Sequence, residues 1–136
     1  MRNSEATRSY IIETAAPIFN KNGYIGTSLS EILKQTPLTK GAIYHHFENK
    51  DDLALAALDY NLKFVSERIF SSVKEKTHSC DKLTVFAEAF KKNYEVMKQM
   101  GGCPVMNAAV DSDDGNELIK KRISLFIKIW EKTLMK

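Results

Sequence analysis

Apolar residues recur every three or four positions along nearly the whole chain, and no stretch alternates with period two between turn residues, so the pattern predicts an all-α protein. The first run spans about Ser4 to Lys21, with Ile11, Ala15 and Phe19 on one stripe and Ile12 and Ala16 beside it. Asn22-Gly23 ends it, because glycine accepts a left-handed turn at a helix C-terminus without strain. Pro17 lies inside the run, where it deletes a backbone bond and crowds the Glu13 carbonyl, so a bend or break is expected there. A short second helix follows. Thr27 or Ser28 can cap it, Glu31 stands where a capping box needs it, and Leu29, Ile32 and Leu33 form its inner edge.

After a turn at Gln35 to Leu38, Thr39 can cap a third helix, with Leu38 packing on Ile43 as a hydrophobic staple and Phe47 one turn further on the same inward face. Asn49 can cap a long fourth helix that carries Asp51 and Asp52 in its first turn, at the positive end of the helix dipole. Its apolar line is expected through Leu53, Ala57, Tyr60 and Phe64 to about Val73. Thr77 to Asp81 reads as a loop. A fifth helix from about Asp81 carries Leu83, Phe86, Ala87, Phe90, Tyr94 and Met97 until Gly101-Gly102 stops it. The short apolar segment Val105 to Val110 and a turn over Asp111 to Asn116 precede a last amphipathic helix. That helix is marked by Leu118, Ile119, Ile123, Phe126, Ile127, Trp130 and Leu134.

Composition narrows this picture only modestly. With 136 residues, 43% hydrophobic and 27% charged, the chain can build a core, and its net charge of +3 does not by itself point to nucleic acid. No signal peptide or membrane span is expected, and two cysteines, Cys80 and Cys103, make neither a disulfide framework nor a metal knuckle, so a reduced cytoplasmic protein is expected. No phosphate loop, paired catalytic carboxylates or nucleophile-base motif appears, so an enzyme is not expected, nor a cofactor.

Charge position says more than charge total. No acidic residue occurs from Leu33 to Phe47, a gap of fifteen residues in a chain with 17 Asp and Glu, and carboxylates there would repel a phosphate backbone. Two short helices around a tight turn have the layout of a helix-turn-helix. Thr39, Gly41 and Ala42 are small enough to let the tip of the third helix approach the major-groove floor, where Lys40 can donate to guanine. Tyr44, His45 and His46 offer further donors, and Thr27 and Lys50 can clamp phosphates on either side.

The string from Thr39 to Leu53, Thr-Lys-Gly-Ala-Ile-Tyr-His-His-Phe-Glu-Asn-Lys-Asp-Asp-Leu, resembles the signature of TetR-family bacterial transcription regulators. So do Ile12 through Ala15-Ala16 to Phe19, then Gly23-Tyr24 and Thr27 to Ile32, and Gly102-Cys103-Pro104-Val105 is similar to a segment of one branch of the family. The resemblance implies a three-helix DNA-binding head at 1–50, joined by the long fourth helix to a helical ligand and dimerisation domain at 51–136. It further implies a homodimer on a near-palindromic operator, a small-molecule effector, and repression. By matching positions it assigns Lys40, Gly41, Ala42 and His45 to base reading and Thr27, Thr39, Tyr44, His46 and Lys50 to phosphates. Pro37 departs from the family's usual turn glycine. Family members usually continue through two further helices, so the C-terminal domain is expected to be incomplete here.

Other features have plainer readings. Phe64, Phe86, Phe90, Tyr94, Met97 and Trp130 are candidates to line an effector pocket, although aromatic residues at helical spacing are more often core. Asp111, Asp113 and Asp114 before Gly115 fail the calcium-loop spacing and read as a solvated turn, so no metal is expected. Cys103 reads as a structural thiol, and Lys120-Lys121-Arg122 as a solvated face. A second functional expectation is a shortened interaction module that pairs with a full-length regulator through Phe126, Ile127 and Trp130 without binding DNA itself.

Overall fold

A computed structural model describes residues 3–113 and 115–136; Asp114, the last acidic residue of the rejected calcium loop, lies outside the described residues. Seven helices and no strand occur among them. Helix α1 covers Ser4–Asn22, α2 Leu29–Gln35, α3 Lys40–His46 and α4 Lys50–Val65, which runs on through a π-helical turn, Ser66–Phe70, to Ser71–Val73. Helices α5, α6 and α7 cover Ser79–Gln99, Pro104–Asp111 and Glu117–Met135.

Local chemistry sets most of these ends. Asn3 accepts from the Glu5 amide at the start of α1, and Gly23 at its end has φ of 101°, a backbone that side chains rarely tolerate. The helix is continuous past Pro17, which sits exposed, so no break occurs. Ser28 and Glu31 form the reciprocal capping box of α2, Thr39 caps α3 through the Ala42 amide, and Asn49 caps α4 through the Asp52 amide. Between α2 and α3 the turn uses no left-handed residue. Thr36 is extended and its hydroxyl donates to the Ile32 carbonyl, so Pro37 fits without strain.

Helix α4 is the axis. It packs along α1 on one side and against α6 and α7 on the other, and buries Leu53, Ala54, Ala57, Leu58, Asn61, Leu62 and Val65. Tyr60, expected on that line, is 39% exposed, because the buried stripe passes through Leu58, Asn61 and Leu62 instead. Asn61 is an unexpected core residue: its amide donates to the Ala16 carbonyl at 3.1 Å and to the Tyr24 hydroxyl at 2.8 Å. The Tyr24 ring stacks on Phe19, completing a head core with Ile11, Ile32, Ile43 and Phe47.

Two more expectations need correcting. Helix α5 begins at Ser79, inside the predicted loop, whereas the apolar segment Val105 to Val110 forms α6 as the helical pattern allows, with Pro104 at its first position. Asp111, placed in a solvated turn by the sequence pattern, is the last residue of α6, and its carboxylate reaches the head.

Candidate nucleic-acid interface

Helix α3 is too short to hold itself in water, so its shape rests on its cap and on what it buries. Only Ile43 within it is buried, and Phe47, which ends it, is buried below. The inward pair therefore fixes which way everything else points. Thr39, Lys40, Gly41, Tyr44 and His45 are exposed, and Ala42 and His46 half-buried. The exposed members of this set lie on the side of α3 turned away from the buried Ile43 and Phe47. A Cβ added at Gly41 would meet nothing within 4 Å, so packing does not require glycine there; its effect is to leave the helix tip bare.

The Lys40 ammonium lies 5.9 Å from the Tyr44 ring centroid, a loose cation–π contact that holds the side chain over the outer surface. His45 and His46 meet edge to face at 4.9 Å. A groove of about 460 Å³ opens between α2 and α3, lined by Leu29, Ser30, Leu33, Lys34, Lys40 and Tyr44. Sequence reasoning did not single out Ser30 and Lys34. Their signal was available: both lie on the outward side of α2, and Lys34 lies within the acid-free stretch.

Two flanking residues fare differently. Lys50 is half-buried at the start of α4, and its ammonium donates to the Ile25 carbonyl at 2.8 Å, which ties the entry to α4 to the loop before α2. Thr27 does not join the surface. It is 1% exposed and its hydroxyl donates to the Gly23 carbonyl, so a phosphate contact from this side chain does not fit its placement.

The six aromatic and apolar candidates for an effector pocket do not gather in one place. Phe86, Phe90 and Trp130 meet in a ring cluster with Phe70 and Phe126, with centroid separations between 4.6 and 6.2 Å. Phe64 instead lies under the Arg68 guanidinium at 4.7 Å, Tyr94 is 58% exposed, and Met97 is buried lower on α5. The cluster holds the buried Trp130 Nε1–H, which has no hydrogen-bond partner among the described residues. Beside it, an open groove of about 480 Å³ between the π-helical turn and α5 is lined by Arg68, Ser71, Ser72, Lys92 and Asn93, among others. No helix among the described residues is long and apolar enough to cross a membrane.

Comparison with known proteins fits this geometry. Residues 11–57 match the family described as "Bacterial regulatory proteins, tetR family", and residues 79–136 match "Tetracyclin repressor-like, C-terminal domain". The chain is 40% identical to a TetR transcriptional regulator from Chloroflexus aurantiacus J-10-FL, covering 98% of this chain and 67% of that one with a TM-score of 0.86. It is 35% identical to a TetR-family transcriptional regulator from Cytophaga hutchinsonii, covering 99% and 69%, with a TM-score of 0.85. Against YxaF, an HTH-type transcriptional regulator of Bacillus subtilis (strain 168), identity is 29% over 92% of this chain. The chain spans less than two thirds of the length of the curated relatives it matches, 66% in the case of YxaF. All three relatives are described as regulators of transcription, and none as an enzyme.

Proposed function

We propose, from the premise that this chain belongs to the tetR family of bacterial regulatory proteins, that it is a DNA-binding regulator of transcription that reads its operator with α3. One observation carries the reading: a capped helix, pinned from behind by Ile43 and Phe47, turns a bare, carboxylate-free face to solvent. Lys40, Gly41, Ala42 and His45 read base edges, and Thr39, Tyr44, His46 and Lys50 meet phosphates. Ser30 and Lys34, on the far wall of the α2–α3 groove, extend the phosphate-facing surface.

Residues 1–50 are the head and 51–136 the regulatory part in this reading. The protein acts as a repressor and pairs as a homodimer, so that two α3 helices enter successive major grooves of a near-palindromic site. A small-molecule effector relieves repression from the ring-lined region of α4, α5 and α7, where Phe86, Phe90 and Trp130 converge and an indole N–H lacks a partner among the described residues. A reduced, cytoplasmic setting fits a regulator of this kind.

Of the residues expected to carry pairing with a relative, Phe126 and Trp130 are half-buried in the ring cluster and only Ile127 is exposed; the outer face of α7 instead presents Leu118, Leu125 and Ile129, each more than half exposed, and that face favours a second reading. In it the chain pairs with a full-length relative through that face and does not engage DNA itself.

Binding to a duplex selected from a random-sequence pool tests the choice. On the first reading the unmodified protein selects a near-palindrome, and affinity falls steeply with salt. Lys40→Ala then relaxes base preference, with a loss at its contacted base of about 1–3 kcal/mol. Selection of no duplex, together with tight association with a relative, would leave only the second reading.

A further inference from the structure

Asp111 ends α6, where a carboxylate faces the negative end of the helix dipole and is misplaced by local rules. Its surroundings explain it. One carboxylate oxygen accepts the Tyr24 amide at 2.7 Å and the Ile25 amide at 3.1 Å, two successive backbone donors converging on a single anion across 87 residues of chain. Gly23 makes the approach possible, since a Cβ there would lie 3.1 Å from the other carboxylate oxygen, besides having to adopt φ of 101°. A second polar clasp lies beside the first. The Asn20 amide donates to the Met100 and Gly102 carbonyls at 2.7 and 3.1 Å, and the Asn107 amide donates to the Asn20 and Gly101 carbonyls at 3.1 and 2.9 Å. The loop between α1 and α2 is thus held from the C-terminal half by groups with little freedom to exchange partners.

That loop in turn holds the cation next to α3. The Ile25 residue whose amide is fixed by Asp111 offers its carbonyl to the Lys50 ammonium at 2.8 Å. An ammonium has three donors, so one bond to Ile25 fixes the group in space and leaves two for a phosphate. We infer that Asp111 is a positioning residue for DNA binding: by holding the Tyr24 and Ile25 amides it fixes the backbone at Ile25, whose carbonyl presents Lys50 to the phosphate backbone beside the α3 face. Asp111 itself touches no nucleic acid in this arrangement, and a free carboxylate at that place would oppose binding. The inference rests on the proposed function and makes a separate demand on it, that removing a distant acidic residue weakens DNA binding.

The test uses the full chain and a duplex selected from a random pool by the unmodified protein, with affinity measured over a range of KCl concentrations and folding checked by circular dichroism. Asp111→Ala should weaken binding about tenfold, the scale of one charge-assisted hydrogen bond. It should also lower the slope of log affinity against log salt by about one ion per protomer, as expected when one phosphate contact is lost. A purely structural role would reduce the active fraction and leave the slope unchanged. Asp111→Asn retains an oxygen that can accept both amides and should recover most of the loss, and it carries the comparison if the alanine variant does not fold. In a Lys50→Ala background, either substitution at Asp111 should cost about twofold at most, because the contact it supports is already gone. Equal losses in both backgrounds, or affinity and slope unchanged by Asp111→Ala, would overturn the inference. If the unmodified protein selects no duplex, the DNA-binding reading falls and this inference with it.

Discussion

The DNA-facing head and the C-terminal helices bury their apolar residues in contrasting ways. In the head, α1 buries Ile11, Ala15, Ala16 and Phe19, and the two seven-residue helices α2 and α3 each bury one aliphatic, Ile32 and Ile43. Helix α7, with 19 residues, buries only Ile119 and Ile123, while Leu125 and Ile129 remain 57% and 53% exposed. Short helices have little intrinsic stability, so the head depends on every cap and every anchor being present. A long helix tolerates a half-used apolar face. The difference teaches where precision is needed: the outward face of α3 is accurate because its two inward anchors leave no alternative rotation.

The sharpest way to break that contrast is Phe47→Ala. Phe47 is 2% exposed, and removing its ring should cost about 3–5 kcal/mol, read as a lowered denaturant midpoint, and should abolish DNA binding. A change below about 1 kcal/mol would mean that α3 is not anchored from behind as described.

Next in size is Tyr24→Phe. It removes the hydroxyl that accepts from Asn61, whose side-chain oxygen has no partner among the described residues, and should cost about 1 kcal/mol. Burial pushes the Tyr24 phenol above the usual tyrosine range, against the lowering effect of the Asn61 bond and with a further push from the Asp111 charge. The folded state then keeps a proton that the unfolded state releases. The stability tied to Tyr24 is complete below the ordinary phenol value of about 10 and declines as pH rises beyond it. Comparing unfolding of the two proteins across that range isolates the effect, since the difference between them should shrink with rising pH.

A smaller effect, with opposite signs in two assays, sharpens the comparison. Gly41→Ala should raise stability by about 0.5 kcal/mol, as glycine is the weaker helix former and an added Cβ meets open space. The same methyl group should weaken DNA binding, because it projects from the helix tip. Loss in both assays would show that the glycine has a structural purpose instead. Smallest of all, Leu125→Lys with Ile129→Lys should change monomer stability by less than about 0.5 kcal/mol, these side chains being mostly exposed. If the α7 face joins copies of the chain, the same pair should shift sedimentation or light scattering towards the monomer.

Much of the fold and of the α3 face was legible in the sequence. The Ser28–Glu31 box, the Thr39 and Asn49 caps and the Gly23 stop all join residues within four positions of each other, so spacing alone exposed them. The outward set from Thr39 to His46 followed once Ile43 and Phe47 were read as inward. Thr27 was misread because a threonine before a capping serine looks like a second cap, and only its burial against Gly23 distinguishes it. Tyr60 was misread because an apolar line at three- and four-residue spacing can be drawn through either of two adjacent stripes of α4.

Residue order by itself settled where helices start and stop and which way α3 turns, because those outcomes depend on hydrogen bonds and contacts made within one or two helical turns. Folding in three dimensions decided what the isolated polar residues do. Asn20, Asn61 and Asp111 find partners between 37 and 87 positions away, and Asp111 shows the cost of reading it locally: it resembled a solvated turn until chain closure carried it to the Tyr24 and Ile25 amides. A buried polar group is defined by the partner that satisfies it, and that partner has no fixed spacing in the chain.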